Sequence, residues 1–134
     1  MGKNYIQKKI YYHDTDAGGV VYYANYLRHL EEARHEYCLS KGVNIPEYAE
    51  KGVLFPVAHL EIDYKAPARY SDIIHIFTDI EKTGFSSVHF LQEIKRGKTA
   101  IVLARIVCAC VNSGLKPIAM PDKVRQALGT GEKK

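Results

Sequence analysis

Asp14-Thr15-Asp16-Ala17-Gly18-Gly19-Val20-Val21-Tyr22-Tyr23-Ala24-Asn25-Tyr26 is the stretch whose reading decides the fold. Before it, residues 5–13 alternate in the manner of a strand: Ile6, Lys8, Ile10 and Tyr12 share one face, and Tyr5, Gln7, Lys9 and Tyr11 the other. After it the period becomes helical. The Gly18-Gly19 pair breaks regular structure between the two, because glycine allows positive φ and a close backbone approach. Two carboxylates, a glycine turn and a helix start therefore fall together, an arrangement suited to chemistry on a bound carbonyl.

Working outward, the spacing predicts a helix from about Ala24 to Lys41. Tyr23, Tyr26, Leu27, Leu30, Ala33 and Tyr37 make an apolar stripe at intervals of three and four, and Arg28, Glu32, His35 and Glu36 lie on another face. Gly42 is placed to end it. At 1.5 Å per residue the helix is roughly 25 Å long, enough to lie across a sheet. No Ser, Thr or Asp stands directly before Ala24 to cap its first N–H groups, which leaves them for a ligand, Asn25 or water.

A short helical turn is expected over 46–52. Strand patterns then follow over 57–65, 74–80, 88–94 and 99–111, punctuated by turns at Pro67 and 69–72, Thr83-Gly84 and Arg96-Gly97-Lys98. The last strand is apolar on both faces apart from Arg105, so it is expected to be central. Asp122 to Leu128 reads as a short helix, and 129–134 as a disordered tail. The whole, residues 1–134, reads as a single α+β domain, an antiparallel sheet of about five strands with one long helix on a face. One helix covers only part of such a sheet, so a homo-oligomer, dimer or tetramer, is expected to cover the rest.

Bulk properties exclude several classes. The chain has 134 residues, 46% hydrophobic and 25% charged, which suits a folded domain rather than a disordered one. Its longest apolar run, Ile101 to Val111, is too short to span a membrane as a helix, and the N-terminus lacks a signal-peptide core. A cytoplasmic location without stable membrane insertion is expected. Three cysteines leave no complete disulfide framework, and Cys108 and Cys110 on one strand face read as core. The net charge of +4 comes from scattered cations, which argues against nucleic-acid binding. The six histidines never take metal-ligand spacing, and surface or strand positions account for most of them. No metal, flavin or other cofactor is expected. There is no G-x-S-x-G elbow for a serine nucleophile.

With its flanking Tyr12-His13, the quoted stretch resembles that of the hotdog-fold acyl-CoA thioesterases of the 4-hydroxybenzoyl-CoA thioesterase and YbgC-like type. The similarity runs from about Tyr5 to Leu128. It implies a hotdog fold, an acyl-CoA substrate and thioester hydrolysis. It makes Asp16, directly before the Ala-Gly turn, the catalytic carboxylate. It makes the backbone N–H of Tyr23, seven residues on, the donor that polarises the thioester carbonyl. YbgC-like members usually carry His where this chain has Tyr23, and a common Glu is His13 here; a main-chain donor survives the first change.

Asp16 would act as nucleophile, forming a mixed anhydride, or as general base on water. Helix N-terminal N–H groups would stabilise the oxyanion. The competing reading of Asp16 is a turn residue bonded to backbone. Asp14 reads as its structural support, Tyr12 as packing or a contact to substrate, and Asn25 as helix-end capping or function. Gly19 permits close approach of a ligand, and His59 could face the helix from its strand. Lys65, Arg69 and Ser71 near one turn, with Ser86, Ser87 and Arg96 near others, are candidates for the phosphates of coenzyme A. A non-catalytic acyl-CoA-binding or sensor module, placed in a membrane-associated complex, is the alternative.

Overall fold

The computed structural model describes residues 4–129. The elements in order are β1 (Tyr5–Lys9), a 3-10 turn (Tyr12–Asp14), α1 (Asn25–Ser40), α2 (Ile45–Glu50), β2 (Val57–Tyr64), β3 (Ile73–Thr83), β4 (Ser87–Arg96), β5 (Thr99–Ala109) and α3 (Asp122–Leu128). The five strands form one antiparallel sheet in the order β1-β3-β4-β5-β2. The expected α+β architecture is therefore present. Of the expected tail, residues 130–134 lie outside the described residues.

Helix α1 packs chiefly against β3 and β1. It buries Tyr26, His29, Leu30, Ala33, Tyr37 and Cys38. Those side chains meet the inner face of the sheet, where Ile74, Ile76 and Ile80 of β3, Val88, Phe90 and Ile94 of β4, and Ala104 and Ile106 of β5 are buried. One polar pin crosses this core. Gln92 is fully buried, and its Nε2 donates to the Leu30 carbonyl and to Thr78 Oγ1, each at 3.0 Å. Arg34 donates to its Oε1 at 3.1 Å, so each polar atom of the amide is satisfied despite burial.

The two ends of α1 are finished differently. At the C-terminus Gly42 takes φ +85°, its N–H reaches the Leu39 carbonyl at 3.0 Å, and Val43 N–H reaches the Cys38 carbonyl at 2.8 Å. That is a Schellman closure, which consumes the last helical carbonyls. At the N-terminus the capping position is Ala24, and no side chain caps it.

Several expectations are corrected. The opening strand stops at Lys9, because Asp14 Oδ2 accepts from Tyr11 N–H at 3.0 Å and draws the chain into the 3-10 turn. Tyr12 therefore does not share the inner face with Ile10; it is 78% exposed. Tyr23 and Leu27 are likewise exposed rather than part of the helix's buried stripe, whose line runs through His29. The middle strand is β4, not β5. β5 buries its inner side chains, whereas Leu103 and Arg105 on its outer face stay exposed in the single chain. Residues 65–72 are not a hairpin. Strands β2 and β3 are not neighbours, so this segment crosses over the end of the sheet. That crossover forms the floor of the candidate site.

Candidate active site

The loop between β1 and α1 folds as a miniature hairpin. Thr15 and Val21 form a bridge, Asp16 N–H donates to the Val20 carbonyl at 2.9 Å, and Gly19 N–H returns to the Asp16 carbonyl at 3.0 Å. Gly19 has φ +80°, a value L-residues avoid, and this closes the turn. The hairpin is fastened to the crossover: Val20 bridges Arg69, and Val21 N–H donates to the Ala68 carbonyl at 2.8 Å. Ala68 N–H in turn donates to the buried Tyr26 hydroxyl at 3.0 Å, which ties crossover, loop and helix together.

The two aspartates of the loop face opposite ways. Asp14 is 1% exposed. Its Oδ1 accepts from Arg28 Nη2 at 2.5 Å and lies 3.2 Å from His29 Nε2, while Oδ2 takes Tyr11 N–H. Its carbonyl accepts from Tyr22 N–H and from Asn25 Nδ2, both at 3.0 Å. Burial works against ionisation of Asp14. The Tyr11 N–H, the His29 ring and the Arg28 guanidinium outweigh it and hold the carboxyl below the usual range. His29 is buried to the same degree, and burial pushes its pKa down against the pull of Asp14, which keeps the imidazole neutral at pH 7. Its Nδ1 has no hydrogen-bond partner among the described residues.

Asp16 is exposed. Its Oδ1 accepts the Gly18 N–H at 2.8 Å, and Oδ2 has no partner among the described residues. The turn-residue reading of Asp16 is thus satisfied by one oxygen and leaves the other open. The Tyr23 N–H donates to no acceptor among the described residues, nor does that of Ala24. Tyr64 at the end of β2 donates its hydroxyl to the Tyr23 carbonyl at 3.3 Å, which ties the end of β2 to the start of α1. Around this point the aromatic rings gather. Tyr23 and Tyr64 meet edge to face at 6.1 Å, Tyr26 and Tyr64 lie at 5.8 Å, and Tyr22 and Tyr23 at 4.9 Å between centroids. Val21, Tyr23, Tyr26, Tyr64, Lys65 and Pro67 line a cleft of about 300 Å³. The neighbouring Tyr23 hydroxyl, with a smaller contribution from the Asp16 charge, raises the pKa of the Tyr22 phenol.

The other sequence-derived candidates divide by position. Asn25 sits in the first turn of α1 and ties the helix to the Asp14 carbonyl. Tyr12 packs edge to face on Tyr70 at 5.9 Å, beside Ser71, which takes φ +74° and donates its N–H to the Ile10 carbonyl at 2.9 Å. Lys65 and Arg69 flank the cleft and the loop, both exposed. Arg96 Nη1 is already held by the Pro67 carbonyl at 2.9 Å and Asp72 Oδ2 at 3.0 Å. His59 points to the outer face of the sheet and pairs with Glu61 at 3.0 Å, away from α1. Ser87 begins β4, nine residues from Arg96 and so about 30 Å along the strand, at the end remote from the loop. Ser86 lies beside it, its carbonyl accepting the Cys110 N–H.

Sequence reading missed Arg28, His29 and Tyr64. The helical period could have found His29, since it falls three residues after Tyr26 and four before Ala33; its residue type directed it to the surface instead. The three cysteines are free and buried, and burial pushes the Cys38 thiol up to about 12 and raises Cys108 and Cys110 as well, which disables all three as nucleophiles at neutral pH. No group of three or more His, Cys, Asp or Glu among the described residues could hold a metal ion.

An antiparallel sheet carrying one long helix, with an exposed carboxylate and unpartnered N–H groups where that helix starts, defines a class: the hotdog-fold thioesterases. The family model of the thioesterase-like superfamily matches residues 11–128, and the chain belongs to that superfamily. It is 36% identical over 124 residues to an acyl-CoA thioesterase, YbgC, of Haemophilus influenzae, with 90% of each chain covered. It is 34% identical over 118 residues to the acyl-CoA thioester hydrolase YbgC of Escherichia coli, covering 87% of this chain and 88% of the relative. The crystal structure of a probable thioesterase from Bartonella henselae superposes with a TM-score of 0.83 at 32% identity, covering 87% of this chain and 98% of that one.

Proposed function

We propose that this protein hydrolyses acyl-CoA thioesters to a carboxylic acid and coenzyme A, with Asp16 as the reacting carboxylate and the Tyr23 N–H as oxyanion donor. The observation that carries the reading is the pairing, on one short loop, of a carboxylate oxygen and a helix-start N–H that both lack a partner among the described residues. The thioester carbonyl oxygen accepts from the Tyr23 N–H, and the partial positive charge of the α1 N-terminus favours the developing oxyanion. Asp16 Oδ2 then serves in one of two ways. It adds to the carbonyl carbon as the C–S bond breaks and water later cleaves the anhydride, or it takes a proton from a water that adds directly. In both, the thiolate leaves and takes up a proton.

The acyl group enters the cleft under Tyr23, Tyr26 and Tyr64, and Lys65 and Arg69 lie on the side open to the nucleotide phosphates. Tyr12, Gly19, Asn25 and Ser71 border the same loop. His59 and Ser87 join the site only if a second copy brings them there. We assign the chain to a homo-oligomer, dimer or tetramer, on the exposure of Tyr5, Ile73 and Leu103 on the outer face of the sheet. No helix among the described residues is long and apolar enough to cross a membrane. A cytoplasmic location accords with three free cysteines.

The test is thiol release over acetyl-, hexanoyl-, palmitoyl- and benzoyl-CoA by the wild type and by Asp16→Asn. Turnover by the wild type and its loss in a folded Asp16→Asn variant are expected; an active Asp16→Asn variant defeats the assignment. A single turnover in ¹⁸O-water tests for the anhydride, since label in the Asp16 carboxylate arises only when water cleaves an anhydride at the Asp16 carbonyl.

A further inference from the structure

We propose that Asp14, Arg28 and His29 are positioning residues that hold the Tyr23 N–H in register with the Asp16 carboxylate, His29 donating through Nε2. The inference rests on the functional reading above and concerns residues that act through the Asp14 carboxylate rather than on the reacting atoms.

Three observations carry it. First, the Asp14 carbonyl brackets Tyr23: it binds the N–H of Tyr22 on one side and the Asn25 side chain on the other, both at 3.0 Å. Tyr23 N–H lies between two groups that the Asp14 carbonyl holds. Second, the Asp14 carboxylate is tied to residues one turn further along α1, through Arg28 Nη2 and His29 Nε2 on the same oxygen. The position of the helix is thereby transmitted to the loop carrying Asp16, two residues away. Arg28 is in turn set by Glu32 at 3.7 Å, and Glu32 by Lys8 of β1, so the brace reaches the edge strand of the sheet. Third, His29 is costly where it stands. It is 1% exposed and its Nδ1 has no partner among the described residues. A leucine of similar volume would bury no unpaired atom, so stability alone favours leucine at this helix position. What histidine adds there is the N–H to Asp14.

The functional consequence is a rate effect. Misplacing a reacting group by an ångström from a distance can cost roughly 10²-fold in rate while leaving binding intact. A purely structural residue would act on stability instead, and both readouts can be taken from the same proteins.

The experiment uses the full chain and the acyl-CoA of the four above that it turns over fastest. His29→Leu is expected to melt at or above the wild-type temperature and keep KM within about twofold, while kcat falls roughly 10–100-fold. His29→Gln, whose amide nitrogen can replace Nε2, is expected to restore kcat to within about fivefold of wild type. Arg28→Gln, at a half-exposed position that does not threaten folding, is expected to lower kcat with KM unchanged. Wild-type kcat in a folded His29→Leu protein overturns the proposal, as does a His29→Gln variant no better than His29→Leu. If His29→Leu fails to fold, Arg28→Gln decides, and undiminished kcat there overturns it. An active Asp16→Asn variant would sink the functional reading itself. An inactive one beside a fully active His29→Leu protein would remove only the positioning role.

Discussion

Asp14 and Asp16 are two residues apart on one loop and have nothing else in common. Asp14 is buried and accepts from Tyr11, Arg28 and His29 through its carboxylate; Asp16 is exposed, with one oxygen on Gly18 N–H and the other open. A buried carboxylate stays charged only when donors surround it, and the burial that comes with them closes it to substrate. An exposed one keeps an oxygen available at the cost of a fixed position. Under the proposed function the loop divides the two requirements between two acids, Asp14 giving the helix start its rigidity and Asp16 its chemistry.

The comparison breaks most visibly at Asp16. Asp16→Asn should lower thiol release by about 10²–10⁴-fold with an unchanged melting temperature. Asp14→Ala should do the reverse in emphasis. It leaves His29 Nε2 and Tyr11 N–H without an acceptor and frees Arg28, which is 44% exposed and recovers solvation. A loss of about 3 kcal/mol in urea unfolding is expected, the low end for breaking a buried pair because of that exposure. If both variants lose activity and neither loses stability, the division of roles is wrong.

The glycines sharpen the contrast between the two ends of α1. Gly19 and Gly42 both have positive φ and open space where a Cβ would go, so alanine at either costs only backbone strain, about 1–2 kcal/mol. Gly19→Ala should also reduce turnover, since it distorts the hairpin that presents Asp16. Gly42→Ala should leave turnover alone, because it touches only the satisfied C-terminal end.

The smallest effect is on pH. The unfolded His29 titrates near 6.5 and the folded one lower. Below about pH 6.5 the unfolded chain therefore binds a proton that the folded chain refuses, and stability falls as pH drops through that window. Below 3.8 the stabilisation from Asp14 is lost as well, as pH falls through its lowered folded value. His29→Leu should flatten the slope of melting temperature between pH 7.5 and 5.5 and shrink the acid limb without abolishing it, since Asp14 keeps the Tyr11 N–H and Arg28.

Much of this was legible in the chain. The alternation of Ile74, Ile76, Thr78 and Ile80, and of Val88, Phe90, Gln92 and Ile94, marked the inner face of the sheet, and those side chains are buried. The helix ended where Gly42 stood, and no cap preceded Ala24. Less legible was the site's surround. Tyr64 reaches the Tyr23 carbonyl across 41 residues, and His29 looked like a surface histidine because its partner belongs to another element. His59 and Ser87 were plausible by residue type and lie elsewhere.

Periodicity and turn chemistry are local, so the sequence by itself determined the elements, their buried faces and the loop that carries Asp16. Strand order is not local. The placement of β2 at the far edge, and the crossover of residues 65–72 that this demands beneath the loop, came only with the tertiary structure. The same holds for the surroundings of the two aspartates, whose roles the resemblance had already divided. Adjacent carboxylates are chemically equal on paper, and what separates them is which one the helix packs over, since burial and the donors that come with it exist only in the folded chain.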